Sequence, residues 1–354
     1  MPEAGERAPA AAGALRSFLA AFRDELADEG ALESDFDDTF VWESPTTAYT
    51  SAVAQHNDHA ALNRYVNILP YDHALVPVGE GPSREYINAS RLASTQDDAS
   101  RWRYICTQGP LPHTAGTFWR MVHENNPVAI AMLTSFVENR VQKCHDYFPR
   151  TPKEELFTDD GDDLPKLRIA CENVTQLVPG LEERIVVVED VGRADGRAVR
   201  LSHFHYTEWP DHGTPDSTKV LRLLIHRIRK LEEERRRADA ASGASGGTEA
   251  AADSAAPPQP PPLIAHCSAG IGRTGVFCAC DVLIRRIDAY LKHASKRDAV
   301  DAESDERFAT QFLNLKSLIK FFRTQRIGMV QTREQYVFCF RLIKEELELR
   351  LEMQ

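Results

Sequence analysis

One stretch constrains this chain more than any other: Leu263-Ile-Ala-His-Cys-Ser-Ala-Gly-Ile-Gly-Arg-Thr-Gly-Val-Phe277. A short apolar run enters Cys267, a loop of small residues follows, and then Val276, Cys280, Leu283, Ile284 and Ile287 recur at the spacing of one helix face. Strand, tight loop and helix in that order make an anion cradle. The five residues between Cys267 and Arg273 (Ser268, Ala269, Gly270, Ile271 and Gly272) let the backbone wrap, so that successive N–H groups face one oxyanion at a helix start. Gly270 and Gly272 permit the tight dihedrals that this needs. Arg273 can close the ring with two parallel hydrogen bonds to an oxyanion, a geometry lysine lacks. The same donors favour a thiolate at Cys267, which makes it a nucleophile. Thr274 is placed to donate its hydroxyl to the sulfur, easing its departure.

The bulk composition narrows the setting. Of 354 residues, 42% are apolar and 27% charged, an ordinary globular balance that can build a core without staples. The net charge of −11 speaks against general nucleic-acid or anionic-membrane binding, so an anionic ligand needs a local cluster of donors. Seven scattered cysteines, an odd number, point to reduced thiols, with Cys106, Cys278 and Cys280 read as small hydrophobes. With no bilayer-length apolar run and no secretion signal, the expected compartment is the cytoplasm, with the nucleus also open. No metal is expected, because no His/Cys group has zinc spacing.

Along the chain, residues 1–40 read as an N-terminal segment: disordered to about Ala12, then a short amphipathic helix through Leu15, Phe18, Leu19 and Phe22. Residues 41–352 read as one catalytic domain. Strands are expected at Val128 to Phe136, Arg184 to Val191 and Ala198 to Trp209, with a turn at Asp195-Gly196. A helix follows Leu221, Leu224, Ile225, Ile228 and Leu231. It runs into a low-complexity insert, 238–262, whose Pro257-Pro-Gln-Pro260 offers a weak SH3-type contact or a plain solvated spacer. A polar insert, 295–307, separates two later helices.

The cysteine loop resembles the signature loop of the cysteine-dependent, tyrosine-specific protein tyrosine phosphatases, and further segments from about Leu62 to Glu346 fit that likeness. The resemblance implies an α/β (α+β) fold, a central twisted mixed sheet flanked by helices, acting on phosphotyrosine-containing proteins without a cofactor. In Trp209-Pro-Asp-His-Gly-Thr-Pro215 it makes Asp211 the general acid and Trp209 the hinge anchor. In Met329-Val-Gln-Thr-Arg-Glu-Gln-Tyr336 it makes Gln331 the residue that places water. Gln335 either assists or closes a capping box with Thr332. In Asn63-Arg-Tyr-Val-Asn67 it makes Tyr65 the wall that sets pocket depth, with Asn67 able to hold the substrate backbone. Val66 and Asn67 stand where family members often carry charge. By the same likeness Glu138 orients Arg273, Lys143 approaches Asp211 and His266 supports Cys267; Glu138 and Lys143 read equally as solvated surface charges. Two other readings remain: a catalytically silent module that captures phosphotyrosine, and a dual-specificity phosphatase. An accessible thiolate at Cys267 is also expected to oxidise reversibly.

Overall fold

A computed structural model of the chain describes residues 8–40, 49–81, 84–94, 102–158, 164–192, 197–210, 213–241, 261–296 and 301–353. Helices α1 (Ala8–Leu26), α2 (Glu29–Thr39) and the short α3 (Ala52–Gln55) come first. Strands β1 (Ala89–Ala93) and β2 (Trp102–Thr107) lead to α4 (Ala115–Asn125). Next are β3 (Ala129–Met132), β4 (Val137–Glu138), β5 (Val141–Gln142), β6 (Glu155–Phe157), β7 (Leu167–Val178), β8 (Leu181–Asp190) and β9 (Ala198–Tyr206). The chain then runs through α5 (Lys219–Ala241), β10 (Leu263–His266), α6 (Gly272–Ala294), α7 (Ala302–Gln311), α8 (Leu315–Arg323) and α9 (Arg333–Glu352).

Eight strands form one mixed sheet in the order β1-β2-β10-β3-β9-β8-β7-β6, and β4-β5 is a separate hairpin. The middle four strands pair in parallel, whereas the flanking strands pair antiparallel. Both faces of the middle strands are covered, which is why β3 and β10 read as unbroken apolar text. Within β10, Leu263 and Ala265 enter the core built by α1, α2, α5, α6, α8 and α9, while Ile264 enters the smaller core under α4. The α/β architecture implied by the resemblance is the one observed. No described helix is long and apolar enough to cross a membrane.

Three expectations need correction. Helix α1 is not short: it begins at Ala8, inside the stretch read as disordered, and spans 19 residues. Alanines at 10, 11, 12 and 14 favour the helix, and Ala14, Leu15 and Phe18 are fully buried in the main core. Helix α2 was not anticipated. Asp28 caps it by accepting the Ala31 N–H at 2.9 Å, and Leu32 and Phe36 anchor it. The polar insert 295–307 is helical in its second half, because Asp301 caps α7 through the Ser304 N–H at 3.0 Å. The strands expected at 128–136, 184–191 and 198–209 appear as β3, β8 and β9. The long β7 was not anticipated. The turn at Asp195-Gly196 and the SH3-type Pro257-Pro-Gln-Pro260 lie outside the described residues.

Phe18 ties α1 to the domain. Its ring lies 5.4 Å from Tyr290 of α6 and 5.2 Å from Phe308 of α7. Phe18→Ala is expected to cost about 3–5 kcal/mol through the cavity it leaves, read as a lower urea midpoint at unchanged m-value. A cost below about 1 kcal/mol, the range of a surface change, would show that α1 unfolds separately.

Candidate active site

Strand β10 delivers Cys267 at the carboxyl end of the parallel strands, where crevices form in α/β sheets. The loop then turns into α6 at Gly272. Cys267 is 5% exposed, and its Sγ accepts the Gly270 N–H at 3.3 Å. Gly270 has φ +72°, and a Cβ there would lie 2.0 Å from the Thr107 carbonyl oxygen, so only glycine fits. Turning amides inward sends carbonyls outward, and a fully buried guanidinium receives them. Arg326 donates Nε to the Gly270 carbonyl at 2.8 Å and Nη2 to that of Ala269 at 3.0 Å. Its remaining donors reach Ser90 Oγ and Asn88 Oδ1, both at 3.0 Å.

Arg273 is fixed as firmly. Its Nη1 and Nη2 donate to the two carboxylate oxygens of Glu138 at 2.6 Å each, and Nη1 also reaches the Leu133 carbonyl at 3.1 Å. Glu138 is in turn oriented by the Thr134 hydroxyl at 2.9 Å and the Ser135 N–H at 3.2 Å. The alternative of a solvated surface charge therefore fails for Glu138, whose side chain is 12% exposed. Losing one partner of such a pair typically costs about 3–5 kcal/mol.

The cradle opens into a cavity of about 250 Å³ lined by Tyr65, Asn67, Ile68, Lys143, Cys267, Ser268, Ala269, Ile271, Gly272, Arg273, Gln331 and Gln335. Tyr65 is held by a 2.8 Å hydrogen bond between its hydroxyl and Ser268 Oγ, which itself donates to the Lys143 carbonyl at 2.9 Å. Lys143 is largely buried, so it too is no solvated charge. Gln331 and Gln335 hang over Gly272, where a Cβ would come within 3.1 Å of both side chains. The capping box at α9 is only half formed. Thr332 Oγ1 accepts the Gln335 N–H at 3.3 Å, whereas the Gln335 side chain accepts the Gln331 N–H at 2.9 Å instead of reaching back to Thr332.

Eleven expected residues thus converge on one cavity. Thr274 differs from its expectation: its hydroxyl is buried and has no hydrogen-bond partner among the described residues, the sulfur included. Trp209 is 1% exposed, packs 5.9 Å from Phe338, and donates its indole N–H to the Gly213 carbonyl at 3.1 Å. Asp211 lies outside the described residues, and with it the expected approach of Lys143.

Sequence reasoning missed Arg326, Ile68 and the role of Arg64. Arg64 donates Nε to the Gly109 carbonyl at 3.0 Å and Nη2 to that of Pro110 at 2.8 Å, which ties the Tyr65 loop to the cradle's neighbour. A charge inside apolar text, as in Phe321-Phe-Arg-Thr-Gln-Arg-Ile327, is the available signal for a satisfied buried arginine. Behind Cys267, the Tyr147 hydroxyl bonds His266 Nε2 at 2.7 Å and His203 Nε2 at 2.8 Å, and His266 Nδ1 lies 3.2 Å from the Cys267 carbonyl.

Fold and site together define a class: an α/β protein with a cysteine-bearing anion cradle between a central parallel strand and a buried helix. Residues 59–345 match the family model described as protein-tyrosine phosphatase, and the chain belongs to that family. It is 34% identical over 288 residues to tyrosine-protein phosphatase non-receptor type 20 of Rattus norvegicus, covering 81% of this chain and 54% of that protein. It is 32% identical over 337 residues to protein-tyrosine-phosphatase PTP1 of Arabidopsis thaliana, covering 93% of this chain and 84% of that one. It is 34% identical over 294 residues to tyrosine-protein phosphatase non-receptor type 13 of Mus musculus, covering 82% of this chain but 10% of the relative. The chain spans about half the length of the type 20 relatives that it matches.

The histidines behind the cradle make stability pH-dependent. Burial lowers His266 from 6.5 to about 3 and His205 from 6.5 to about 4, and it holds His203 well below its ordinary value. Between those values and 6.5 the unfolded chain binds more protons than the folded one. Stability is therefore full above pH 6.5 and drains as pH falls. Between pH 7 and 5, His266 and His205 should each withdraw about 2 kcal/mol. Equal urea midpoints at the two pH values would contradict this.

Proposed function

We propose that this protein hydrolyses phosphotyrosine on protein substrates through a covalent phosphocysteine at Cys267. The observation that carries the reading is that Cys267 and a buried Arg273 held bidentate by Glu138 face one cavity with Tyr65 and Gln331. A phosphate dianion is bound by the loop amides and by Arg273. The Cys267 sulfur attacks phosphorus in line; the S–P bond forms as the bond to the tyrosine oxygen breaks, and Asp211 gives its proton to that oxygen. Asp211, now ionised, takes a proton from a water placed by Gln331. That water's oxygen attacks phosphorus, the S–P bond breaks, and inorganic phosphate and the thiolate are released. The Thr274 hydroxyl, buried without a partner among the described residues, is available to the departing sulfur. Lys143, Asn67 and Gln335 line the cavity as substrate contacts.

Tyr65 supports the choice of substrate. It stands at the cavity wall pinned to Ser268, so a reacting phosphate must sit at the end of a long, flat side chain. Phosphoserine is too short to reach the sulfur. All seven cysteines are free and buried, in keeping with a reducing compartment, and the cytoplasm is the reading we favour.

Wild-type protein should turn over p-nitrophenyl phosphate in EDTA and yield a trapped phosphocysteine on rapid quench. Cys267→Ser should lower turnover by at least about 10⁴-fold, the loss typical of a removed nucleophile; activity near wild type would sink the reading. Asp211→Ala should lower kcat by about 10²–10⁴-fold while peptide binding survives. Unchanged turnover would instead remove Asp211 from its role. Matched phosphotyrosine and phosphoserine peptides separate the tyrosine-specific reading from a dual-specificity one.

A further inference from the structure

Helix α2 lies before residue 59, where the family segment begins, yet one half-buried cation links its end directly to the backbone before Gln331. Arg323, the last residue of α8, places its guanidinium carbon 4.5 Å from the Phe40 ring centroid and 5.6 Å from that of Phe36. Its Nη1 donates to the Phe40 carbonyl at 3.3 Å. From the same planar group, Nε donates to the Met329 carbonyl at 3.0 Å and Nη2 to the Val330 carbonyl at 2.6 Å. One cation therefore joins the end of α2 to the two residues that precede Gln331.

Those two residues need holding. Val330 has φ +57°, a region that a β-branched side chain adopts only when its surroundings force it. Its N–H donates to the Ile271 carbonyl at 3.2 Å, inside the cradle. Space for that contact comes from Gly275, where a Cβ would lie 2.3 Å from the Val330 nitrogen. Relaxation of Val330 toward ordinary dihedrals would swing Gln331 away from the cavity. The Arg323 bonds to both carbonyls oppose that swing. A second link from α2, the Asp37–Arg333 ion pair at 2.6 Å, is half-exposed on both sides and contributes little by comparison.

We infer that Arg323, gripped by Phe36 and Phe40, is the positioning residue for Gln331, so that α2 sets the rate of phosphocysteine breakdown. This rests on the function proposed above, in which Gln331 places the hydrolytic water. Arg323 bonds the carbonyls of the two residues immediately before Gln331, whereas Arg326 and Glu138 hold the phosphate-binding loop and Arg273, so loss of Arg323 is expected to weigh on the water-placing step more than on phosphate capture.

The split is measurable. In Arg323→Met, kcat for p-nitrophenyl phosphate is expected to fall about 10-fold while kcat/KM, which reports steps up to the phosphoenzyme, stays within about twofold. Rapid quench should show phosphocysteine accumulating toward one per enzyme. Phe40→Leu, which keeps the core filled but removes the ring face, should act the same way at about threefold. Thermal melts of both variants identify any loss through unfolding. A parallel fall of kcat and kcat/KM in Phe40→Leu, without added phosphocysteine, overturns the inference and leaves the proposed function standing. Turnover with no phosphocysteine trapped in any of the three proteins overturns both.

Discussion

A loop whose amides point inward at an anion must point its carbonyls outward, and something buried has to accept that arrangement. In this protein Arg326 does so, donating to the carbonyls of Ala269 and Gly270 from a position with no solvent exposure. Burial pulls its pKa down, yet a guanidinium so placed stays charged. Its field therefore favours negative charge in the cradle without closing over the ligand. The carbonyls of Ser268, Ala269, Gly270 and Ile271 are all satisfied from behind, by the Gly109 N–H, by Arg326 and by the Gly275 and Val330 N–H groups, which fixes the loop's path. The sheet supplies the rest: β10 is paired in parallel on both sides, by β2 and β3, and its loop enters the largely buried helix α6.

The same device recurs at two neighbouring loops. Arg64 bonds the carbonyls of Gly109 and Pro110, and Arg323 those of Met329 and Val330. The cradle, the loop before Gln331 and the Gly109-Pro110 segment beside the cradle are thus each pinned through main-chain oxygens by an arginine fork. Such bonds are indifferent to the loop side chains, which remain available to the ligand. Arg273 is the exception and the contrast is informative. Its inner face is neutralised by a carboxylate, Glu138, which fixes its direction while leaving the pair close to neutral. Binding a dianion there does not require the whole molecule to be basic, and a chain of net charge −11 can do it.

The parts legible in the sequence were those whose chemistry demands rare residues at fixed spacing. Cys267, the glycines after it and Arg273 read as a cradle from residue types and spacing alone, because only one backbone path suits that string. Strands β3 and β10 were legible as short apolar runs, and β9 as a strand beside a turn, whereas their parallel partner β2 was not anticipated. Arg326, Arg64 and Arg323 were not. Their partners are backbone carbonyls, which carry no sequence signature, and their separations from those partners (56 residues between Arg326 and Gly270) are set by the fold. Helix α2 was hidden by its acidic text, Glu-Gly-Ala-Leu-Glu-Ser-Asp-Phe-Asp-Asp-Thr, in which Leu32 and Phe36 alone carry the apolar face. The half-formed capping box shows a different limit. Thr332 and Gln335 have the right spacing, but a competing acceptor need at the Gln331 amide redirects the glutamine.

The unit that folds is accordingly larger than the family segment. Phe18, Phe22, Phe36 and Phe40 all precede residue 59, and all belong to the core that also contains α6 and α9. Their aromatic contacts fall on successive parts of the catalytic half: Phe18 on Tyr290 and Phe308, Phe22 on Phe340, Phe36 and Phe40 on Tyr336. Tyr336 is one residue after Gln335, so the last of these contacts braces the start of α9 from outside the cavity that Gln335 lines. Aromatic packing is stiff, and interiors at this density shift by discrete repacking instead of bending. A repacking at α2 would therefore be felt by the loop at 329–331 through Arg323 and Tyr336, which ties the N-terminal helices to the site.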